Sequence, residues 1–383
     1  MSRLLFTKEW LDAQTALRQR FEDLGMEAAF DEVGNLYGVL RGTEGSERAI
    51  ATGSHVDTVV QGGTLDGALG IFGGYLAVKD LLERYGRPKK DLMVISLAEE
   101  EGSRFPFVFW GSKNLVGRVS EADIAEVRDN DGVSFTEAMH TCGFGMRTAL
   151  TSKADAIDAF VELHIEQGNT LEMEHKQVGV VTGIVGQRRY NVHLTGEANH
   201  AGTTLMRYRH DVVQVFAEIV SQSIAKAKAE GDPLVLTFGH IEVVPNTVNV
   251  VPGEAMFTMD CRHTDKDTLV RFTEQIEADM ARIAAEHGVA IEIDRWMDED
   301  PVPMNDEVVG TIRETCEGLG SNYRMMHSGA GHDSQIIAPH IPTGMIFVPS
   351  RGGISHNPAE YTDPAELAAG IEVLAETLHR LAY

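Results

Sequence analysis

Several apolar segments of this chain stop abruptly at histidines or carboxylates, and this pattern constrains the fold more than any other feature. The junctions are Ala49 to Thr52 followed by His55, Leu92 to Leu97 followed by Glu99-Glu100-Glu101, and Ala159 to Leu163 followed by His164. Short apolar runs of this kind are typical of buried strands. Open α/β sheets place their sites at the carboxyl ends of such strands. The sequence therefore predicts an α/β fold with a polar site along one sheet edge.

The order of the predicted elements divides the chain into two domains. From Val181 to Trp296 the pattern gives strand, helix, strand, strand, helix and strand. This β-α-β-β-α-β order is that of the split βαβ, or ferredoxin-like, unit. The earlier pattern resumes after Pro301. We therefore predict a larger α/β domain with a mixed, mainly parallel sheet and flanking helices, residues 1–182 and 300–383, and an inserted ferredoxin-like domain, residues 183–299.

Composition excludes several classes of function. The chain has 58 acidic and 33 basic residues and a net charge of −25, which argues against nucleic acid or an anionic membrane surface as a partner. Its cysteines, Cys142, Cys261 and Cys316, are widely separated and form no Cys-x-x-Cys motif, as is typical of a reducing compartment. The longest mostly apolar run, Gly67 to Val78, is too short to span a bilayer. We expect a cytoplasmic protein.

Strand ends and loops of the larger domain offer ligands for divalent cations. They are His55, Asp66, the cluster Glu99 to Glu101, His164 and His356. His55 alone is explained equally well as an ordinary strand-end histidine, but the whole set suits a dinuclear site for borderline ions such as zinc or manganese. Asp66 has two oxygens and could bridge two ions, whereas Asp57 is better placed to fix the tautomer of His55.

The chemistry of such a site requires a carboxylate that is not a ligand. Two cations that share a water molecule lower its pKa toward neutrality. A nearby free carboxylate then takes the proton and passes it to the leaving nitrogen. The acidic triplet can supply both a ligand and this base.

Six motifs carry a resemblance to a known family. In chain order they are His55-Val56-Asp57, Leu65-Asp66-Gly67, Glu99-Glu100-Glu101-Gly102, Glu162-Leu163-His164-Ile165-Glu166-Gln167-Gly168, Asn199-His200-Ala201-Gly202-Thr203-Thr204 and Ser355-His356-Asn357-Pro358. Together they resemble the N-carbamoyl-L-amino acid hydrolase, ureidopropionase and allantoate amidohydrolase family, which is related to dinuclear metallopeptidases. The resemblance covers nearly the whole chain. Met326 to Asp333, Gly186 to Tyr190 and Trp296 to Glu299 resemble the allantoate branch most.

The resemblance implies a role for each site residue. One ion would be held by His55, Asp66 and His164, and the other by Asp66, Glu101 and His356, with Glu100 as the general base. The implied substrate-binding residues are His200 for the oxyanion, Asn249 and Arg262 for the substrate carboxylate, and Gln187 for its polar end. The inserted domain would act as a lid and form a homodimer. From the residues alone, a turn histidine at position 200 and a surface arginine at position 262 remain alternatives.

The implied activity is hydrolysis of the carbamoyl C–N bond of allantoate to ureidoglycine, carbon dioxide and ammonia, with manganese favoured and zinc as the alternative. The substrate would be a small anionic ureido compound. Hydrolysis of N-carbamoyl-L-amino acids or N-carbamoyl-β-alanine is a close alternative, and a peptidase or aminoacylase would suit the same metal site. A catalytically silent binding protein on this fold is the alternative from another class.

Overall fold

A computed structural model describes residues 1–45, 48–145 and 153–383 of the chain, and all predicted site residues lie within these ranges. The described chain divides into two compact units. The larger unit consists of Met1–Gly183 and Pro303–Tyr383, and the inserted unit is Ile184–Val302.

The described residues form both helices and strands throughout the chain. The strands are β1 Glu27–Phe30, β2 Leu36–Leu40, β3 Ala49–His55, β4 Asp91–Leu97, β5 Ile157–Ile165, β6 Val178–Ile184, β7 Gly186–Thr195, β8 Asn199–His200, β9 Val235–Thr237, β10 Ile241–Val244, β11 Val250–Val251, β12 Glu254–His263, β13 Ala290–Glu299, β14 Val302–Pro303, β15 Tyr323–Ser328 and β16 Thr343–Val348. The α-helices are α1 Lys8–Asp23, α2 Ala68–Tyr85, α3 Trp110–Leu115, α4 Glu121–Ile124, α5 Phe135–Thr141, α6 Thr170–Met173, α7 Val212–Glu230, α8 Lys266–Glu286, α9 Asp306–Leu319, α10 Asp333–Ile337 and α11 Pro364–Ala382.

A large mixed sheet organises the larger unit. Its strand order is β1-β2-β4-β3-β5-β16-β6-β14, and β15 pairs with β6. The neighbours β4, β3, β5 and β16 run parallel, whereas β1, β2 and β6 pair antiparallel. Because the four central strands run parallel, their carboxyl ends meet at one edge of the sheet. The predicted α/β class, with a mixed and mainly parallel sheet, is confirmed.

Buried strands and capped helices stabilise this sheet. Every residue of β3 and β16 is buried, as expected for parallel strands covered on both faces. The helices α2, α9 and α11 pack beside these central strands. Sequence signals set the limits of α9 and α11: Asn305 and Asp363 accept hydrogen bonds from the first backbone N–H groups, and Gly320 ends α9 in the left-handed conformation. The core of the unit is therefore continuous from the sheet into these helices.

The inserted unit has its own sheet and its own core. Its main sheet has the order β10-β12-β7-β13, with β9 also paired to β12, and all these pairs are antiparallel. The helices α7 and α8 contact each other and this sheet. A separate short ladder joins β8 to β11. The buried residues of these strands and helices form a hydrophobic cluster of their own.

One element differs from the sequence prediction. The alternation from Val181 to Leu194 predicts a single strand, but the structure has two, β6 and β7, which belong to different sheets. The break falls at Gly186, where an added methyl group would lie 2.6 Å from the Pro301 ring. The strand β6 buries nearly every residue and β7 buries every second residue, so apolar side chains recur across the break. The sequence pattern alone therefore does not reveal that the chain passes from one sheet to another.

Candidate metal centre

The carboxyl ends of the central strands bring the predicted metal ligands together. His55 ends β3, Glu101 follows β4, and His164 lies near the end of β5. His356 lies in the loop after β16, and Asp66 immediately precedes α2. Their potential ligand atoms form overlapping groups in which all atoms lie within 4.8 Å of one another. The structure thus gathers all of the predicted ligands at one sheet edge.

The first donor set consists of His55, Asp66 and His164, all of which are buried. Asp66 Oδ1 lies 3.7 Å from His55 Nε2 and 3.3 Å from His164 Nε2. Ligand atoms about 2.0–2.2 Å from a shared ion lie roughly 3–4 Å from one another in tetrahedral geometry. The spacing of these three side chains therefore fits a divalent cation.

The second donor set consists of Asp66, Glu101 and His356. His356 Nε2 lies 3.4 Å from Asp66 Oδ2 and 3.4 Å from Glu101 Oε2. Asp66 therefore faces the first set with Oδ1 and the second set with Oδ2, as a bridging carboxylate would. The other oxygen of Glu101, Oε1, is buried and makes no hydrogen bond to the described residues.

Hydrogen bonds on the far side of two histidine rings orient their Nε2 atoms toward the site. His55 Nδ1 lies 3.2 Å from the backbone oxygen of Asp57 and 3.4 Å from its carboxylate. His164 Nδ1 lies 2.9 Å from the backbone oxygen of Ile165. A proton on Nδ1 is favoured by these acceptors and leaves the lone pair of Nε2 directed at the ligand position. The contact predicted between Asp57 and His55 is present.

Asp57 also anchors the acidic triplet. Its carboxylate accepts hydrogen bonds from the backbone N–H groups of Glu100, at 3.2 and 3.1 Å, and of Glu101, at 3.1 Å. The Glu100 side chain then lies with its Oε2 4.0 Å from His55 Nε2. One buried carboxylate therefore connects the end of β3 to the loop after β4, and it places Glu100 beside the two donor sets.

The charges of the site alter the pKa values of its histidines and of Asp66. Burial lowers the pKa of His55, but the carboxylates of Asp57, Glu100 and Glu101 together outweigh burial and hold this pKa well above its usual value. Burial likewise lowers the pKa of His164, and the hydrogen bond to Asp66 raises it overall. Burial raises the pKa of Asp66, yet its bonds with His164 and His356 hold it well below the usual range. Asp66 is therefore a permanent anion at the centre of the site.

The acidic triplet shows the opposite effect. Burial, together with neighbouring carboxylates, raises the pKa of Glu99 and of Glu100 well above the usual value. Burial also raises the pKa of Glu101 to about 7, and the charge of His55 only partly opposes this effect. Buried carboxylates with raised pKa values indicate a local deficit of positive charge. Divalent cations would supply that charge, so the donors, their spacing and their electrostatics all fit a dinuclear metal centre.

Gly67 leaves room for the His55 ring. Its φ of +64° lies in the left-handed region, and a methyl group at this position would lie 2.4 Å from Cε1 of His55. The Gly67 N–H also lies 3.2 Å from His164 Nε2. The Leu65-Asp66-Gly67 motif thus supplies a ligand and the space for a second ligand at the same turn.

Three residues that support Asp66 were not predicted. Gln167 Nε2 donates to Asp66 Oδ2 at 3.0 Å, and Ser355 Oγ donates to the same oxygen at 2.8 Å. Glu360 accepts hydrogen bonds from the backbone N–H groups of Leu65 and Asp66. Gln167 and Ser355 adjoin predicted ligands in their motifs, which is the available sequence signal. Glu360 gives no such signal, because its contact joins segments nearly three hundred residues apart.

A buried polar cluster lies behind His164. Glu162, on the same strand, accepts hydrogen bonds from Ser54 Oγ at 2.7 Å and from Ser334 Oγ at 2.5 Å. The His332 ring packs edge-on against His164, with ring centroids 4.5 Å apart. Burial raises the pKa of Asp333 to about 8. The sequence leaves His332 and Asp333 without a role, and the structure places both inside the wall of the site.

The predicted substrate-binding residues lie in the inserted unit, where they form two pairs. His200 and Val250 are opposite one another in the ladder of β8 and β11, and the Ala201 N–H donates to the Asn249 carbonyl at 3.0 Å. His200 and Asn249 are both exposed and lie on adjoining segments. The ladder therefore brings together two residues that are about fifty positions apart.

Gln187 and Arg262 form the second pair. They lie directly opposite one another in the antiparallel register of β7 and β12. Directly opposed residues on antiparallel strands project from the same face of the sheet. Both are half-buried, and the Oε1 atom of Gln187 is buried without a hydrogen bond to the described residues. The register thus places an amide and a guanidinium side by side on one face.

Comparison with known proteins identifies the class to which this fold and centre belong. Residues 51–380 match Peptidase family M20/M25/M40. A structure titled as an amidase of the hydantoinase/carbamoylase family from Burkholderia multivorans superposes with a TM-score of 0.95 at 31% identity, covering 100% of this chain and 92% of that one. The chain belongs to Peptidase family M20/M25/M40.

Full-length relatives place the chain more narrowly. It is 55% identical to the allantoate amidohydrolase of Escherichia coli K12 over 383 residues, which cover 100% of this chain and 93% of the relative. It is 46% identical to the allantoate amidohydrolase of Bacillus subtilis 168 with the same coverage. The chain is therefore a hydrolase of the amidohydrolase branch of its family, and the family predicted from its motifs is confirmed. In the part of the chain that the structure describes, no helix is long and apolar enough to cross a membrane.

Proposed function

We propose that this enzyme hydrolyses the carbamoyl C–N bond of allantoate to give ureidoglycine, carbon dioxide and ammonia. The observation that supports this chemistry is the position of Asp66, whose two oxygens face two separate donor sets. Glu100 lies beside these donor sets and is not part of the carboxylate bridge that Asp66 would form. The similarity to two allantoate amidohydrolases supports the choice of substrate.

In this proposal His55, Asp66 and His164 hold one divalent cation, and Asp66, Glu101 and His356 hold the other. Manganese is the favoured ion and zinc is the alternative. Imidazole and carboxylate ligands are compatible with either ion. When bound, the two cations polarise the ureido carbonyl and lower the pKa of a water molecule. The two donor sets seen in the structure are thus interpreted as the ligand sets of a working metal centre.

Glu100 acts as the general base. Its backbone is fixed by Asp57, and its carboxylate lies near the first donor set. It accepts a proton from the attacking water and transfers that proton to the departing nitrogen, which leaves as ammonia. The carbamic acid that remains on the other nitrogen then loses carbon dioxide and gives ureidoglycine. Such proton transfer by a positioned carboxylate is typically worth about 10²–10⁴ in rate.

Residues of the inserted unit recognise the substrate. His200 stabilises the oxyanion that forms as the carbonyl carbon becomes tetrahedral, and Asn249 and Arg262 bind the substrate carboxylate. Gln187 contacts the polar end of the substrate, and its unpaired Oε1 is a suitable acceptor for a ureido N–H. We also propose that the inserted unit forms a homodimer and acts as a lid, and that the enzyme is cytoplasmic.

Ammonia release from three substrates tests the assignment. Protein stripped with a chelator and reconstituted with manganese is offered allantoate, N-carbamoyl-L-amino acids and N-carbamoyl-β-alanine in parallel. We expect metal-dependent ammonia release with allantoate preferred. If a carbamoyl amino acid were preferred, the proposed chemistry would stand and the assigned substrate would be wrong. The hydantoinase/carbamoylase relative favours this alternative. No ammonia from any of the three would contradict the proposal.

The variant Glu100→Gln tests the general base. We expect its kcat to fall by about 10²–10⁴ while it still binds manganese. Glu99→Gln is the matched control, because Glu99 lies next to Glu100 and its side chain accepts from the Ser103 N–H, which glutamine can also do. A Glu100→Gln enzyme as active as Glu99→Gln would remove Glu100 from the mechanism.

A further inference from the structure

Two arginines share one carboxylate on the sheet face that carries Gln187 and Arg262. In the register of β7 and β12, Arg189 lies opposite Asp260, just as Gln187 lies opposite Arg262. Side chains two residues apart on a strand project from the same face. The four side chains therefore form a compact square on one face of the inserted unit.

The central carboxylate holds Arg262 by two contacts. Arg262 Nε donates to Asp260 Oδ1 at 2.8 Å, and its Nη2 donates to Asp260 Oδ2 at 3.0 Å. Arg189 Nε donates to Asp260 Oδ2 at 2.7 Å. All three side chains are between a quarter and a third exposed, so the cluster is partly shielded from water. Burial raises the pKa of Asp260, but its bonds with Arg262 and Arg189 lower this pKa overall, so Asp260 is ionised.

We propose that Asp260 is a positioning residue that fixes the Arg262 guanidinium for the substrate carboxylate. A paired contact along one edge of a guanidinium sets both its plane and its direction. An arginine held in this way loses less side-chain entropy when a ligand binds. This inference rests on the proposed role of Arg262 in binding the substrate carboxylate. It adds Asp260 as the residue that sets the orientation of the Arg262 guanidinium.

Arg189 has a separate part in this arrangement. Asp260 alone would cancel the charge of Arg262, and a substrate carboxylate would then meet a neutral pair. With Arg189 bonded to the same carboxylate, these three groups together carry a net charge of about +1, which attracts a substrate carboxylate. Glu299, opposite Gln187 on β13, adds one negative charge beside this cluster. The Arg189 guanidinium also lies over the Trp296 ring, 5.7 Å from its centroid, and this contact holds it in place.

The variant Asp260→Asn tests the positioning role. Asparagine keeps the size of the side chain but offers one acceptor and directs N–H groups at a guanidinium that only donates. We expect KM for the ureido acid to rise about tenfold with kcat nearly unchanged, because one charged hydrogen-bonded pair is lost from ground-state binding. Arg189→Gln leaves Arg262 and Asp260 as a neutral pair and should also raise KM, because the net positive charge of the cluster is lost.

Asp298→Asn is the matched control. Asp298 makes the same two-contact pair with Arg188, at 2.8 and 3.1 Å, between neighbouring strands of the same sheet. Arg188 is buried and also bonds Thr273 of α8, so this pair belongs to the opposite face. The control variant should keep the KM of the parent enzyme. If Asp298→Asn raised KM as much as Asp260→Asn does, the rise would be a general consequence of losing an ion pair in this sheet.

A double-mutant cycle with Arg262→Gln gives the decisive readout. If Asp260 acts through Arg262, Asp260→Asn should add almost nothing in the Arg262→Gln background. Additive effects, or a lower KM for Asp260→Asn, would overturn the positioning role, and the second result would make Asp260 a competitor of the substrate. Unfolding midpoints of all variants are measured alongside the kinetics, and Asp260→Ser, which also lacks the paired carboxylate acceptors, replaces Asp260→Asn if the latter does not fold.

The test is separable from the choice of substrate. The cycle is run on whichever of the three ureido acids the parent enzyme hydrolyses, since all three carry a carboxylate. Calorimetric binding of the same acid to manganese-loaded protein that also carries Glu100→Gln gives the comparison with turnover suppressed. Failure of allantoate alone therefore leaves the positioning role intact, whereas absence of binding by all three acids would overturn both proposals.

Discussion

Replacing Gly67 by alanine tests whether His55 is fixed in the position that the metal centre needs. A methyl group at position 67 would lie 2.4 Å from Cε1 and 2.5 Å from Nε2 of the His55 ring. Ordinary contacts of this kind begin at 3.4 Å, so the ring or the loop must move by about 1 Å in a closely packed interior. The ring has little freedom to retreat, because its Nδ1 contacts Asp57 on the other side.

The displacement is large on the scale of metal binding. Metal–ligand distances tolerate only about ±0.2 Å, and a misplacement of about 1 Å at a reacting centre can cost about 10² in rate. We expect Gly67→Ala to bind manganese at least about 10-fold to 100-fold more weakly, by analogy with the loss of groups that orient a ligand. Activity should fall by about 10² even at saturating manganese. The left-handed backbone adds a stability cost of about 1–2 kcal/mol.

Gly320→Ala separates the backbone cost from the clash. Gly320 has a φ of +68°, close to that of Gly67, and nothing lies within 4 Å of an added methyl group. Calorimetric manganese titration, ammonia release and urea unfolding are measured on both variants. Gly320→Ala should lose only the stability that the left-handed backbone costs, Gly67→Ala should lose more because of the clash, and only Gly67→Ala should lose metal affinity and activity. If Gly67→Ala bound manganese as tightly as Gly320→Ala, the reasoning that His55 is held in place would be refuted.

Two further predictions concern buried carboxylates. Burial raises the pKa of Glu101 to about 7, and the pKa values of His55, His164 and His356 are raised by neighbouring carboxylates. Because a cation binds only the deprotonated ligands, manganese affinity should rise by at least about tenfold per pH unit up to about pH 7 and should continue to rise above it. Calorimetry across this range checks the prediction, and a constant affinity would contradict it. Glu162→Ala leaves the hydroxyls of Ser54 and Ser334 without their acceptor and should lower the free energy of unfolding by about 3 kcal/mol or more. Urea denaturation measures the loss, and a change below about 1 kcal/mol would show that the cluster rearranges.

The positions of the candidate ligands His55 and His164 could be predicted from the sequence because a strand end is visible in it, whereas the roles of Asp66 and His356 were implied by the family resemblance. An apolar run that stops at His55, or two residues before Glu99, marks both the strand and the edge of the sheet where its side chains emerge. The parallel arrangement of β3, β4 and β5 then brings these ends together without any further information. Local pattern and global topology agree here, so the site was accessible to sequence reasoning.

The contacts that support the site residues could not be predicted from the sequence, because they depend on how distant segments of the chain assemble. Glu360 fixes the turn before Asp66 from the far end of the chain, and no spacing rule connects positions 66 and 360. The pairing of Asp260 with Arg189 depends on the register of β7 and β12. A shift of one residue would send Asp260 to the opposite face. Register is a property of the assembled sheet, so alternation along one strand cannot supply it.

The acidic triplet connects the fold to the chemistry. The strand β4 ends in a buried edge, where three consecutive carboxylates would repel one another, and the raised pKa values of Glu99, Glu100 and Glu101 express that repulsion and burial. Two divalent cations held by the neighbouring donor sets would remove the cost of ionising Glu101 and would leave Glu100 beside a concentrated positive charge. The same burial that makes the triplet unfavourable without cations therefore makes it a tight ligand and an effective base with them.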